Sequence, residues 1–331
     1  MVRKILVTGR LPDVVLSMLA ERFEVESQDE DRPIERRRLL DAVGEKDGLL
    51  CMITDGIDAE LLSHAPRLKM IANMGVGYNN IDVSAATARG IPVSNTPGVL
   101  TEATADLAFT LLLAIARRVV EGDRRVRAGE FKFWAPFLFL GTEVSGKTLG
   151  IVGMGRIGKA MAQRARGFDM PVLYHNRSRI ESAEEDRLGA GYESIEELLR
   201  KSDFVSLHVP LSAQTRYLIG SEELALMKPS AYLINTSRGP VVDEQALLAA
   251  LQAGQIAGAA LDVYEHEPVL TPGLTLLDNV ILLPHVGSAT LETRTRMAAM
   301  AAQNLIAGLG GQKPQNLVNP DVFATGPQQS K

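Results

Sequence analysis

The chain has 331 residues, 46% hydrophobic and 23% charged, with a formal net charge of −5 at pH 7. That length predicts two domains with a core each, and the acidic balance excludes a global basic field for nucleic acid. The longest apolar run, Leu107 to Ala116, is too short to span a bilayer, and one cysteine, Cys51, excludes an intrachain disulfide and suits a reducing cytoplasm.

The first part alternates strand-like and helix-like segments. Lys4 to Thr8 reads as a first strand, its apolar run being too short for a signal peptide. Pro12 to Glu21 reads as a helix with proline at its start. Strands follow at Gly48 to Ile53, Lys69 to Asn73 and Ile91 to Asn95, with a short helix at Ala59 to Ser63. Cys51, beside Leu49, Leu50 and Met52, reads as a small core residue. This βαβ alternation implies a parallel sheet with helices on both faces. Thr96-Pro97-Gly98 breaks the pattern ahead of a long apolar helix, Thr101 to Val119. An aromatic segment, Phe131 to Pro136, holds the only tryptophan, Trp134.

A second alternating series begins at Lys147. Its strands are Thr148 to Val152, Val172 to His175, Phe204 to His208, Ala231 to Asn235, Ala257 to Leu261 and Val280 to Leu283. Six strands match a full dinucleotide-binding domain. Ala289 to Leu309 reads as one Ala-rich helix, followed by a Pro/Asn/Gln tail expected to be poorly ordered at its end.

The first of these strands runs into Gly153-Met154-Gly155-Arg156-Ile157-Gly158, and a helix-like stretch follows. That context turns a weak G-x-G-x-x-G motif into a strong one. Gly153 permits a tight turn, Gly155 lets backbone approach a pyrophosphate, and Gly158 lets the helix pack close to its strand. The helix N-terminus, at Arg156 and Ile157, offers free N–H groups to the phosphates. An NAD site carries an acidic residue roughly 20 positions further on. Here that place reads His175-Asn176-Arg177-Ser178-Arg179, with no carboxylate and two arginines. A guanidinium binds a 2′-phosphate that a carboxylate would repel. The expectation is therefore NADP(H) over NAD(H), with Asn176, Arg177 and Ser178 in contact; a solvated basic turn is the plainer alternative.

Three motifs lie just past strand ends, where ligands bind in such sheets. They are Asn235-Thr236-Ser237-Arg238-Gly239, Asp262-Val263-Tyr264-Glu265-His266-Glu267-Pro268, and Pro284-His285-Val286-Gly287-Ser288. An arginine, an acid and a histidine suit reduction of a 2-oxo acid. Arginine grips the carboxylate, a protonated imidazole donates to the carbonyl oxygen, and a buried carboxylate keeps that imidazole charged and oriented. Thr236, Asp262, His285 and Gly287 are candidate cofactor contacts and Ser288 a candidate substrate contact. Residue pattern alone leaves His64, His175, His208 and His266 as rivals of His285, and Glu265 as a rival of Glu267. Glu265-His266-Glu267 is not a metal motif, and no metal site is expected.

With those residues in view, the chain resembles the D-isomer-specific 2-hydroxyacid dehydrogenases over nearly its whole length, from Gly75-Val76-Gly77-Tyr78-Asn79-Asn80-Ile81-Asp82 to His285-Val286-Gly287-Ser288. Within that family it is most similar to glyoxylate/hydroxypyruvate reductases, through Trp134-Ala135-Pro136, Gly141-Thr142-Glu143 and Gly146 to Gly150. The resemblance implies an α/β architecture of two doubly wound parallel-sheet domains: a Rossmann cofactor domain, 99–286, inserted into a flavodoxin-like substrate domain, 1–98 plus 287–331, with the active site in the cleft between them. It implies that Arg238 holds the carboxylate, that Glu267 pairs with the proton donor His285, and that the Val76 and Gly77 amides also bind the carboxylate. Asp262 would bond the nicotinamide carboxamide, Thr104 would face the same ring, Pro210 would pack near the adenosine and Thr215 near the phosphates. The resemblance also implies a cytoplasmic homodimer in which Trp134 shapes the partner's substrate pocket; a plain core role for Trp134 is the alternative.

The function so implied is NADPH-dependent reduction of glyoxylate and hydroxypyruvate to glycolate and D-glycerate, in a pocket narrowed by Met52, Leu100 and Trp134. A 2-ketogluconate reductase or a 3-phosphoglycerate dehydrogenase is the alternative within the family. A dinucleotide-sensing, corepressor-like binding protein is the alternative of another class, since fold alone does not fix function. The complete set of Arg238, Glu267 and His285 favours an enzyme. The absence of lysine from Asn73 to Asp82 argues against a phosphite dehydrogenase.

Overall fold

The computed structural model describes residues 2–28 and 30–324; the end of the predicted tail lies outside them. The chain divides into two compact units, Met1–Leu100 with Thr290–Lys331, and Thr101–Ala289. Among the described residues no helix is long and apolar enough to cross a membrane.

The first unit is built on five parallel strands, β1 (Lys4–Val7), β2 (Glu24–Ser27), β3 (Gly48–Met52), β4 (Met70–Met74) and β5 (Val93–Ser94). Their order, β2-β1-β3-β4-β5, is that of a flavodoxin-like sheet. Because both faces are covered, the inner strands read as nearly continuous apolar runs. On one face, helices Asp13–Ala20 and Leu291–Leu309 bury Val15, Leu19, Ala298, Ala302 and Leu305 against Ile5, Val7 and Leu50. On the other, Leu39, Val43, Leu61 and Leu62 pack against Leu6, Leu49, Cys51 and Ile71. Cys51 is fully buried, as expected of a core residue.

The second unit carries seven parallel strands where the sequence predicts six. They are β6 (Leu149–Val152), β7 (Val172–His175), β8 (Ala190–Tyr192), β9 (Phe204–Leu207), β10 (Tyr232–Asn235), β11 (Gly258–Leu261) and β12 (Val280–Leu282), in the order β12-β11-β10-β9-β6-β7-β8. Taken from β6, this is the doubly wound 3-2-1-4-5-6 order with one strand added. The unpredicted members, β2 and β8, are short edge strands. Glu-Val-Glu-Ser and Ala-Gly-Tyr each hold little apolar signal, because only one side of an edge strand is paired. Helices Thr101–Ala116 and Arg156–Ala165 cover one face, and helices Ile195–Lys201, Ser221–Leu226 and Glu244–Gln252 the other.

The predicted helix Thr101 to Val119 is shorter than its apolar pattern suggests. It ends at Ala116, whose carbonyl accepts from the Thr142 amide at 2.7 Å. Arg118 then takes a left-handed backbone (φ 53°) and grips Glu121 with two hydrogen bonds, and a second helix runs Val119–Arg127.

One buried charge ties three strand starts of the first unit together. Asp47, its side chain 4% exposed, accepts from the Lys4 amide at 3.0 Å and from Arg67 at 3.2 Å, with Lys69 Nζ 3.6 Å away. Burial pushes its carboxyl up, but the Lys4 amide, the Arg67 hydrogen bond and the two cations outweigh that and hold it below the usual carboxylate range. Its stabilisation is therefore complete above an unfolded carboxylate value of about 4 and is lost as pH falls through the lower native value. Asp47→Ala is expected to lower unfolding free energy by about 2–3 kcal/mol at neutral pH, a deficit that shrinks toward acid pH; urea titrations of both proteins at pH 7 and pH 3 check this.

Candidate active site

Apart from Trp134, the second-unit candidates sit past the carboxyl ends of parallel strands, or on helix Thr101–Ala116, because parallel strands deliver their following loops to one edge. At the end of β6, a Cβ at Gly153 (φ 104°) would lie 2.7 Å from the His208 backbone, and one at Gly158 would lie 2.2 Å from the Gly153 carbonyl. A Cβ at Gly155 would meet nothing within 4 Å, so the loop opens a cradle there. Helix Arg156–Ala165 starts at this cradle with no side chain capping its N-terminus. Open amides and a positive helix end beside vacant backbone space fit a dinucleotide pyrophosphate.

The turn after β7 is fixed at both ends. Asn176 Oδ1 accepts from the Met154 amide at 2.7 Å, so this side chain holds the glycine loop. Arg179 is committed to Glu185 through bonds of 2.8 and 2.7 Å. Arg177 and Ser178 are exposed between them, and among the described residues no acid pairs with Arg177. After β9, the Thr215 hydroxyl donates to the Pro210 carbonyl at 2.6 Å and accepts from the Ser212 amide at 2.8 Å, so it closes its own turn.

Past β10, Asn235 folds the next loop around itself: its Nδ2 donates to the Arg238 carbonyl at 3.0 Å, and its Oδ1 accepts from the Ser237 amide and hydroxyl. Thr236 Oγ1 is buried without a hydrogen-bond partner. A Cβ at Gly239 would lie 1.8 Å from the Tyr264 carbonyl carbon, so glycine alone lets this loop touch the one after β11. Burial lowers the Arg238 guanidinium from its ordinary value, and the charge of Glu267 opposes that shift.

Glu267 and His285 meet directly, Oε2 to Nδ1, at 2.7 Å. The other Glu267 oxygen accepts from the Tyr264 amide at 2.9 Å. Burial pushes the Glu267 carboxyl up, yet the His285 hydrogen bond and charge, the Tyr264 amide and the Arg238 charge hold it below the usual range. It is not the buried acid anticipated, since its side chain keeps 35% of its exposure; its position follows from loop contacts. The Tyr264 hydroxyl donates to the Leu283 carbonyl at 2.7 Å and so joins the two loops. Buried Glu244 holds the far side, accepting from the Glu265 amide and the Thr271 hydroxyl, each at 2.6 Å.

His285 has a left-handed backbone, φ 54°. The next two amides, of Val286 and Gly287, donate to the two oxygens of buried Asp262 at 2.7 Å each. Burial raises the Asp262 carboxyl despite those bonds and the His285 charge. A Cβ at Gly287 would come within 3.5 Å of Thr104 Cγ2, so Thr104, Asp262 and Gly287 form one group. Sequence reasoning gave Asp262 a cofactor role and did not see this positioning role, nor those of Asn235, Tyr264 and Glu244. The available signal was polar residues at otherwise apolar strand ends.

The rival histidines lie elsewhere. His64 and His266 are exposed, and His175 stacks on Tyr192 with Nδ1 3.0 Å from the Glu193 carbonyl. His208 shares a 2.9 Å hydrogen bond with Ser206, and burial pushes its imidazole down to about 4. Glu265 accepts from the Tyr217 hydroxyl and does not meet His285.

In the first unit, the loop after β4 is pinned by its carbonyls. Asn73 Nδ2 donates to the Gly77 carbonyl at 2.9 Å and Asn95 Nδ2 to that of Val76 at 2.8 Å. The Val76 and Gly77 amides donate to no other described group. Trp134 is 78% exposed, which excludes the core alternative; Phe131, Phe133, Phe137, Leu138 and Leu140 are exposed with it. No group of histidine, cysteine or acid side chains among the described residues has the arrangement of a metal site.

Residues 109–287 match the family described as D-isomer specific 2-hydroxyacid dehydrogenase, NAD binding domain. A glyoxylate reductase of Thermococcus litoralis is 53% identical over 328 residues, covering 98% of this chain and 99% of that one. Among solved structures, a glyoxylate reductase from Paecilomyes thermophila is 37% identical with a TM-score of 0.87, covering 96% of this chain and 99% of that one. An NADPH-dependent glyoxylate/hydroxypyruvate reductase from Sinorhizobium meliloti, in complex with NADP and malonate, is 35% identical with a TM-score of 0.84, covering 96% and 97%. Sequence, fold and strand-end chemistry thus agree, and the chain belongs to the D-isomer specific 2-hydroxyacid dehydrogenases, as an oxidoreductase with a Rossmann NAD-binding domain.

Proposed function

We propose that this enzyme reduces glyoxylate and hydroxypyruvate to glycolate and D-glycerate, with NADPH as the preferred cofactor. The observation that carries this reading is the 2.7 Å contact of His285 with Glu267, whose carboxylate also feels the charge of Arg238. The names of the Thermococcus and Sinorhizobium relatives support the choice of small 2-oxo acids.

Bound NADPH supplies a hydride. The protein's part is to hold the acid and deliver a proton. Arg238, with the amides of Val76 and Gly77 and with Ser288, binds the substrate carboxylate, a planar anion that suits a bidentate guanidinium. As negative charge grows on the carbonyl oxygen, His285 Nε2 donates its proton there. Glu267 accepts from Nδ1–H, which fixes the orientation of the ring and leaves Nε2 for the substrate. On this reading the Gly153 to Gly158 loop, Arg156 and Ile157 hold the pyrophosphate, while Thr104, Thr236, Asp262 and Gly287 border the nicotinamide. Pro210 and Thr215 border the adenosine half, and Arg177 and Ser178 meet the 2′-phosphate. Residues 1–98 with 287–331 then serve as the substrate domain and 99–286 as the cofactor domain, in a cytoplasmic enzyme. The exposed aromatic segment around Trp134 is read as a homodimer contact, because contiguous apolar patches of this kind mark interfaces.

Purified protein should oxidise NADPH rapidly with glyoxylate and hydroxypyruvate and slowly with pyruvate; Arg177→Asp should raise the KM for NADPH by about tenfold or more while leaving that for NADH within about threefold. Equal loss of both cofactors would overturn the 2′-phosphate assignment. Glu267→Gln should cut kcat by roughly 10²-fold, since the imidazole loses the carboxylate that orients it; stopped-flow rates of both proteins measure this. Sedimentation equilibrium should return twice the chain mass, and Trp134→Ala with Phe137→Ala should shift it toward the monomer.

A further inference from the structure

The turn that carries Arg177 is stapled to the body of the domain by a buried group that the catalytic reading does not use. Tyr174, in the middle of β7, is fully buried. Its hydroxyl accepts from the Ile180 amide at 3.0 Å and donates to Glu185 Oε1. Glu185, its side chain 7% exposed, takes both Nε and Nη2 of Arg179, at 2.8 and 2.7 Å. The Arg179 hydrogen bond and then the Tyr174 hydroxyl hold the Glu185 carboxyl below its ordinary value, so it remains an anion. At the near end of the turn, Asn176 is fixed twice: its Oδ1 receives the Met154 amide, and its carbonyl receives the Tyr192 hydroxyl at 3.3 Å. Five residues, 176 to 180, are thereby held at both ends, and only Arg177 and Ser178 are left exposed without such ties.

Two consequences follow from charge and geometry. Of the two arginines in the turn, Arg179 is neutralised by a nearly buried carboxylate, which leaves one cation for an incoming phosphate. That cation sits on a turn whose backbone is already ordered, so binding loses little loop entropy. We infer that Tyr174 and Glu185 are positioning residues for dinucleotide choice: they hold the 176–180 turn so that Arg177 alone selects the ligand bearing a 2′-phosphate. The inference rests on the reading of Arg177 as the 2′-phosphate contact. It adds that selectivity depends on a tyrosine hydroxyl beneath the turn, in no contact with the ligand.

Tyr174→Phe removes one oxygen and conserves the packed ring. Titration calorimetry of the full chain with NADPH, NADH and adenosine 2′-monophosphate reads binding without turnover. The expected result is that Kd for NADPH and for the 2′-monophosphate rises about fivefold, the worth of one hydrogen bond that orders the turn, while Kd for NADH stays within about twofold of wild type. Glu185→Gln, with Arg179 released, should blur the selectivity of Arg177→Asp, because a second cation becomes available. If Tyr174→Phe weakens NADH as much as NADPH, or weakens neither, the positioning role is overturned. If Arg177→Asp is itself unselective, the 2′-phosphate reading fails first and the role of the staple falls with it; a selective Arg177→Asp beside an unselective Tyr174→Phe defeats the staple alone.

Discussion

A single buried carboxylate organises the strand-end edge of the second unit that carries His285. Asp262 leaves β11 and receives the Val286 and Gly287 amides from the loop after β12, one on each oxygen. A left-handed backbone at a residue with a side chain costs roughly 1–2 kcal/mol, and these two charge-assisted bonds offset that cost at His285. The imidazole is thus placed by main-chain geometry before any side-chain contact is counted. Glu267 then fixes the ring from a neighbouring loop, with Tyr264 and Glu244 holding that loop in turn. Removing Asp262 would leave two amides unpaired and the loop free to relax, so its effect would reach His285 without touching it.

Asparagine side chains play a comparable part at three other strand-end loops. Asn73 and Asn95 take the carbonyls of Gly77 and Val76 and leave the amides, Asn176 takes the Met154 amide of the glycine loop, and Asn235 curls the Arg238 loop. Short amide side chains satisfy backbone groups that strand ends leave open, and they do so without adding charge. Rigidity at these loops therefore comes from neutral hydrogen bonds, whereas the loops after β11 and β12 are held by the carboxylates of Glu244 and Asp262.

Much of this was legible in the residues. The strand–glycine–helix sequence at Leu149 to Gly167 identified the domain because each glycine answers a separate steric demand, and apolar runs located the central strands because both faces of a parallel sheet are covered. The edge strands β2 and β8 were not legible, since a strand such as Glu-Val-Glu-Ser has no continuous apolar run to mark it. The end of the helix at Ala116 was hidden for a different reason: Val119 and Val120 carry the apolar pattern past Arg117 and Arg118, while the left-handed backbone of Arg118 and the returning Thr142 amide terminate it. Pairing of His285 with Glu267, not with Glu265, rested on family likeness, because residues two apart in a loop have no periodicity to separate them. The supports of the site, Asp262 as a loop clamp and Tyr264, were illegible because their partners are main-chain atoms far away in the chain.

The left-handed backbone at His285 also limits what can stand in its place. Of the common replacements, asparagine and glycine enter that conformation readily, and alanine or glutamine do so with strain. An alanine there would alter the loop as well as remove the ring, so its phenotype would mix two causes. Asparagine keeps the backbone preference and discards the imidazole, which makes that position one where the residue of similar φ, and not the smallest one, isolates the chemistry.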